Sequence, residues 1–433
     1  MIREKAPTHV TIIGGGLAGS EAAWQIAQAD IDVALYEMRP IKTTEAHRTD
    51  LLAELVCSNS FRASDSISAA GTLKDEMREL DSIVMRAADA TKIPSGKSLS
   101  VDRNLFSANV TDLLSSHPRI KIIRQEISEI PDGNVIIASG PLTSNKLVSA
   151  ILQLTNSKAL SFYDAIAPII DSSTLTPGTY FEASRYSDEK DYLNVPLSEE
   201  NYKKFVEELI SAETFTHLDE DFFEGCLPIE EMARRGEETL RFGPMKPVGL
   251  IDPETERRPY AVIQLRRENM SGVLYNLVGF QTRLKIAEQD RIFRMIPAFA
   301  NASFIRYGSA HRNTFIDSQN FLSADLSIKI EPRIKIAGQL SGVEGYIESA
   351  ASGIVAGIST ISKNFRPLPE ETIIGGLIRY ITAPSKLKFQ PMKANWGVVS
   401  ELNIKISKGE KKQLLAERSR ESLKKWKREI LEK

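Results

Sequence analysis

Cysteine is almost absent from the chain: two in 433 residues, Cys57 and Cys226. So few thiols exclude a disulfide-stapled scaffold. No CxxC pair or Cys/His cluster offers the spacing of a zinc or iron–sulfur site. Low cysteine use points to a reducing, cytoplasmic setting. No run of 18 apolar residues occurs, which excludes a transmembrane helix, and the opening Met1 to Pro7 carries no apolar signal segment. Repeats and low-complexity tracts are missing. Net charge is small, −2 from 55 Lys and Arg against 57 Asp and Glu, so the chain as a whole is no polybasic coat for nucleic acid. The basic excess sits in one place: between Lys405 and Arg428 ten Lys or Arg face three Glu, which suggests an anionic partner there. The remainder is ordinary for a soluble globular protein, 42% apolar and 26% charged. The length suffices for two to three domains whose cores need no staples.

His9 to Ile13 is a short β-branched run that stops at Gly14-Gly-Gly-Leu-Ala-Gly19. A helical stretch follows from Ser20 to Ala29, then a second strand from Asp32 to Glu37. Gly14, Gly16 and Gly19 form GxGxxG between a strand and a helix. The first allows a tight turn, the second a close approach of backbone to a pyrophosphate, the third the packing of helix on sheet. Gly15, Leu17 and Ala18 complete the loop, and the helix N-terminus offers free N–H groups to phosphate. Glu37 closes the second strand about 20 residues on, where a carboxylate receives ribose hydroxyls.

That fingerprint serves FAD and NAD alike. A second glycine segment favours FAD: Gly338-Gln339-Leu-Ser-Gly342-Val-Glu-Gly345 follows the strand Arg333 to Ala337 and opens an Ala-rich helix. FAD enzymes with such an N-terminal unit commonly return late in the chain with such a segment. Between Leu142 and about residue 330 the strand–helix alternation lapses. The expectation is an α/β chain: a Rossmann-like FAD-binding domain in two pieces, 1–155 and 325–433, interrupted by an α+β insertion domain at 156–324. A basic helical tail runs from about 405 to 433, amphipathic from Leu414 to Leu431, either RNA-binding or simply solvated. Within the first piece Leu73 to Ala88 reads as one amphipathic helix, and Arg39 to Ala70 as a long loop containing Cys57. A loop of that length in a compact domain usually has a task. Cys226 precedes a short helix opened by Pro228 and stopped by Gly236, a position that lowers a thiol pKa. Both cysteines lie in polar surroundings and not in apolar periodic segments.

Longer motifs carry a resemblance. They include Tyr36-Glu-Met-Arg-Pro40, Leu55-Val-Cys-Ser-Asn-Ser60, Ala183-Ser-Arg-Tyr186, Glu224-Gly-Cys226-Leu-Pro-Ile-Glu230, Arg241-Phe-Gly-Pro-Met-Lys-Pro-Val-Gly249 and Gly338 to Tyr346. From about residue 8 to about residue 400 the chain resembles the folate- and FAD-dependent tRNA (uracil-5-)-methyltransferases, the TrmFO family. The resemblance implies methylation of C5 of the T-loop uridine of tRNA, uridine 54. The carbon comes from 5,10-methylenetetrahydrofolate, tetrahydrofolate is released, and NADH or NADPH regenerates reduced FAD. The chemistry suits two thiols. Uracil C5 is a poor nucleophile until a thiolate adds to C6, after which a base must remove the C5 proton. By analogy Cys226 is the nucleophile and Cys57 the base, with the reverse assignment open. RNA contacts should be basic: Arg283, Lys285, Arg291 and Arg294 in the insertion, Lys386, Lys388 and Lys393 later. The partners are then the tRNA T-arm and folate, with no membrane and no obligate protein partner. Two other readings stand beside this one: the same chemistry on ribosomal RNA, and a flavin oxidoreductase acting on a small molecule.

Overall fold

The β-branched run His9–Ile13 lies at the heart of a six-stranded sheet, with Val10 and Ile12 fully buried. The computed structural model describes residues 7–155, 159–215, 227–385, 389–402 and 407–431. Asp32–Glu37 and Asn134–Ile137 flank the first strand in parallel, Ile120–Arg124 extends one side, and Glu331–Ile336 joins the other beside Asn134–Ile137. Ser327–Ile328 closes that edge antiparallel. The sheet is thus α/β and Rossmann-like, and two of its strands come from late in the chain. The helices Leu17–Ala27 and Tyr346–Ile361 cross closely over it. A Cβ on Gly353 would lie 2.1 Å from Ala18 O, and one on Gly357 2.8 Å from Gln25 Cβ. Glycine at these two positions is what lets the crossing be so tight.

A second six-stranded sheet, antiparallel throughout, is built from Phe181–Glu182, Tyr192–Leu197, Ala261–Arg267, Leu274–Leu277, Ile169–Asp171 and Ser303–Arg306. It has its own core, in which Tyr202 and Phe205 of the helix Glu199–Ser211 join Phe280 and Phe293. The strands Ala159–Ile166 and Ser309–Ile316 pair antiparallel as a separate two-stranded ribbon.

Three features differ from the pattern read above. Leu73 to Ala88 is not one helix. Ala69–Glu79 ends at Leu80, Asp81 turns with φ +55°, and the Ser82 side chain accepts from Met85 N–H to start Ile83–Ala90. Hydrophobic spacing carried across the break, but serine capped a new start. The long loop contains a strand, Ser60–Ala63, which pairs with Ser98–Val101. The last helix, Lys408–Ile430, begins with a capping box of Ser407 and Glu410. It is docked: Leu415, Leu423 and Trp426 are buried in the main core. Several of its cations hold it down, Lys427 on Glu79 and Arg420 on Ser66 O.

Glu76 ties this helix to the body. Its carboxylate accepts from Ile373 N–H and Ile374 N–H at 2.7 and 2.8 Å and from Ser419 Oγ at 2.5 Å. Burial lifts its carboxyl from 4.5 to about 7. Between those values the folded chain holds a proton that the unfolded chain releases, so stability falls as pH rises. Glu21, lifted by burial to about 8, adds to the same slope. Thermal midpoints should therefore drop from pH 5 to pH 8, and drop less in Glu76→Gln. An identical slope in that variant would remove Glu76 as a source.

Candidate functional site

Backbone constraint shapes the glycine loop. Gly14 has φ +105°, and a Cβ there would lie 2.5 Å from Ala138 O; one on Gly19 would lie 1.8 Å from Gly14 O. Gly16 differs. It caps the helix Leu17–Ala27 with no side-chain bond, and a Cβ on it would meet nothing within 4 Å. It faces a cleft of ≈ 1040 Å³ whose walls include Gly14, Gly16, Leu17, Ala18, Glu37, Gly338 and Gln339. No acidic residue occupies the first turn of the helix. Its unbonded N–H groups and positive dipole end are therefore available to an anionic phosphate.

Glu37 is buried and fully bonded. Oε2 accepts from Gly15 N–H at 3.0 Å, and Oε1 accepts from Arg39 N–H and Nε at 3.0 and 2.9 Å. Burial opposes its charge, but Arg39 and these amides outweigh that and hold its carboxyl below the usual carboxylate range. Arg39 is itself buried and bridges on to Glu54 at 2.9 Å. The acid that could receive a ribose is thus ionised and fixed in place.

The remaining glycines divide by position. Gly338 lines the cleft with φ +77° against Ala18. Gly15, Gly19, Gly342 and Gly345 are not among its lining residues. Gly342 has φ +90° and makes room for Phe389, whose Cζ would lie 2.3 Å from a Cβ there; Gly345 has φ +110° and gives way to the Glu348 carboxylate. Their part is to shape the turn that brings Gln339 and Tyr346 to the wall.

Tyr346 leads to Cys57. The Tyr346 hydroxyl accepts from Cys57 N–H at 2.8 Å and from Ser58 N–H at 3.1 Å. Burial, then the field of Cys57, pushes its phenol well above the ordinary range, so it stays protonated. Other anchors hold the same loop. Arg103 donates to Leu55 O and to Glu268, at 3.1 and 2.9 Å for the latter pair of contacts. Arg266 donates to Asn59 Oδ1 at 3.1 Å and Ser58 Oγ at 2.8 Å. Asn59, fully buried, donates to Val101 O and Arg267 O. Cys57 is half-buried, in the field of Arg103, Arg266 and Arg306. Guanidinium neighbours are the surroundings in which a thiolate is favoured.

Cys226 lies outside the described residues, as do Lys386 and Lys388. The helix after Cys226 is Ile229–Arg234, with Pro228 at its N-cap and Ile229 N–H donating to Gln281 O at 2.7 Å. Arg283 is 6% exposed and its guanidinium faces Glu230 and Glu231. Lys285, Arg291 and Arg294 stand nearer the surface, but each already has a carboxylate: Glu213 at 2.6 Å, Glu288 at 2.7 Å and Asp290 at 2.9 Å. Lys393 is half-buried, beside Ala394, whose N–H donates to Glu348. Among the described residues no cluster of His, Cys, Asp or Glu could hold a metal ion, and no helix is long and apolar enough to cross a membrane.

Tyr346, Arg103, Arg266 and Arg306 were not legible as site residues. Tyr346 alone had a signal, its place directly after Gly345 at a helix start.

The comparisons agree with this layout. The family model described as Glucose inhibited division protein A matches residues 9–364. The methylenetetrahydrofolate--tRNA-(uracil-5-)-methyltransferase TrmFO of Dictyoglomus turgidum (strain DSM 6724 / Z-1310) is 52% identical over 421 residues, covering 95% of this chain and 96% of that protein. The protein of that name from Syntrophus aciditrophicus (strain SB) is 51% identical over 430 residues, covering 97% and 98%. Among solved structures, Aquifex aeolicus GidA in its form II crystal superposes with a TM-score of 0.70 at 16% identity, over 97% of this chain and 74% of that one. This last likeness concerns the fold alone.

Proposed function

From the premise that the chain belongs to the TrmFO family of methylenetetrahydrofolate--tRNA-(uracil-5-)-methyltransferases, we propose that its target is the T-loop uridine of tRNA, uridine 54, which becomes 5-methyluridine. Folate-dependent methylation of a tRNA uracil at C5 is its reaction; the T-arm and the position are the finer reading. The observation that carries it is a dinucleotide cleft whose wall residue Tyr346 holds the backbone of a cysteine, Cys57.

FAD fits the cleft: Gly16 leaves open space at a helix N-terminus, and Glu37 is an ionised acceptor. Gly14, Gly16, Leu17, Ala18, Glu37, Gly338 and Gln339 would hold it. Bound there, FAD supplies the reducing equivalents that turn a folate-derived methylene into methyl, with NADH or NADPH restoring them.

The residues of the chain do the rest. Cys226 adds to C6 of uracil, which makes C5 nucleophilic toward the methylene carbon of 5,10-methylenetetrahydrofolate. Cys57, as thiolate, takes the C5 proton. Its backbone anchors fix where that proton goes, and the arginines around it favour the charged sulfur. Release of the C6 bond restores the ring. The setting is the reducing cytoplasm, in keeping with the low cysteine count of the chain. The cations proposed to meet RNA are Arg283, Lys285, Arg291, Arg294, Lys386, Lys388 and Lys393.

Purified protein given 5,10-methylenetetrahydrofolate, NADH and unmodified tRNA should form 5-methyluridine, mapped by mass spectrometry to position 54. A transcript with cytidine at 54 should gain nothing. Methylation of ribosomal RNA instead would overturn the tRNA T-loop assignment. NADH oxidation by an unrelated small molecule, with no RNA product, would overturn the reaction.

A further inference from the structure

Arg306 ends the strand Ser303–Arg306, where the register against Ile169–Asp171 shifts between Phe304 and Arg306. The residue is half-buried. Its Nε and Nη2 are shielded from solvent and, among the described residues, have no hydrogen-bond partner. A guanidinium cannot discharge itself by losing a proton, so this is a fixed positive charge with an unused donor edge. Buried donors in folded proteins are nearly always bonded, and one that is not calls for an explanation such as an absent ligand.

Its surroundings sharpen the question. The charges facing Arg306 are Arg103 and Arg48, which repel it, and Tyr346 and Cys57 on the other side of the balance. Tyr346 is a neutral phenol. Arg103 and Arg266 are already engaged, on Glu268 and Leu55 O and on Asn59 and Ser58. Glu268 is the carboxylate of the cluster. One of its oxygens is bound to Arg103, and the other has no partner. Three guanidinium groups therefore gather around Cys57 against one buried carboxylate. The edge left over, Nε with Nη2, is the pair of parallel donors that receives two oxygens of one phosphate or carboxylate.

We propose that Arg306 is an oxyanion-binding residue beside Cys57, and that the oxyanion is a backbone phosphate of the RNA adjoining the target uridine. The inference rests on the reading that Cys57 works on that uracil. A base must leave its stack to meet a protein thiol, and a grip on the neighbouring phosphate holds it there. The same fork could instead take a folate carboxylate, which is the same chemistry from another source. In either case the unpaired charge is a liability of the substrate-free protein that the substrate relieves.

The test uses FAD-loaded protein and two variants, Arg306→Gln and Arg306→Lys. Binding of a T-arm stem–loop RNA is followed by fluorescence anisotropy across a salt series. Binding of tetrahydrofolate is followed by its perturbation of the flavin spectrum. Arg306→Gln should weaken RNA binding about tenfold, the scale of a lost charge-assisted pair. It should also reduce the slope of log affinity against log salt by about one. Arg306→Lys should keep most of that slope but lose affinity, because lysine lacks the fork. The thermal midpoint of substrate-free Arg306→Gln should be unchanged or higher, since a repelled charge is removed; a purely structural arginine would lower it. Weaker folate binding with RNA binding intact keeps the subsite and transfers it to the folate carboxylates. Unchanged affinity for both ligands, or a lowered midpoint with both ligands weakened alike, overturns the proposal. Wild-type protein that binds the RNA with the expected salt slope yet leaves uridine 54 unmethylated overturns the reaction reading and not this subsite.

Discussion

Gly16→Asp should give a folded protein without colour. The position has φ −76° and a Cβ there meets nothing within 4 Å, so the aspartate is accommodated without strain. Its carboxylate then enters the cleft in front of the helix N-terminus, where a pyrophosphate would bring its own negative charge. Steric exclusion and like-charge repulsion act together, and flavin retention should be abolished. Circular dichroism should match the wild type. Gly19→Ala is the control of opposite kind. Its Cβ would collide with Gly14 O at 1.8 Å, so that variant should lose fold and flavin together. A Gly16→Asp protein that purifies yellow, with one FAD per chain, would mean the cleft is not where the pyrophosphate lies.

Cys57→Ala and Cys226→Ala should each lose methylation, and they should differ in what they trap. RNA carrying 5-fluorouridine at position 54 cannot release fluorine as it releases a proton, so a nucleophile on C6 stays attached. Cys226→Ala should form no adduct and no product. Cys57→Ala should still form the adduct, while methylation of ordinary tRNA falls by about 10² to 10⁴, the span of a lost general base. Both variants should keep FAD, because Cys57 is not among the residues lining the cleft and Cys226 is far from the glycine loop in sequence. An adduct that survives in Cys226→Ala and disappears in Cys57→Ala exchanges the two roles. Turnover within a few fold of wild type in either variant refutes a two-thiol mechanism.

Local chemistry decided what could be read in advance. Gly14, Gly16 and Gly19 announce themselves because only glycine satisfies the turn and the close approach, and Glu37 follows at the end of a strand whose length is fixed. Leu73 to Ala88 failed because apolar spacing is blind to a three-residue break, and Ser82 could be identified as a cap only once the break was known. The burial of Arg283 was hidden for a different reason. A lone arginine in a polar stretch looks like any other, and its burial depends on Glu230 and Glu231, some fifty residues away. Arg266 and Arg306 lie at the ends of strands in a sheet assembled from distant segments. Their convergence on Cys57 is a property of that sheet and leaves no trace in the neighbouring residues. The docked face of Lys408–Ile430 was half legible: the amphipathic run from Leu414 was visible, but not the capping box that starts the helix earlier, nor Glu76 waiting for Ser419.

The sheet order also fixes a schedule for the ribosome. Asn134–Ile137 pairs on one side with His9–Ile13 and on the other with Glu331–Ile336, which is synthesised much later. At 5–20 residues per second that second partner follows Asn134–Ile137 itself by roughly ten to forty seconds. Throughout that interval Val135, Ile136 and Ile137, which end fully buried, belong to an open strand edge of the kind that recruits other chains. The antiparallel sheet emerges meanwhile, and all its strands lie between Ile169 and Arg306, so it can close by itself. The nascent chain therefore completes its second sheet before its first, and the nucleotide cleft, which needs Gly338, is among the last parts to exist.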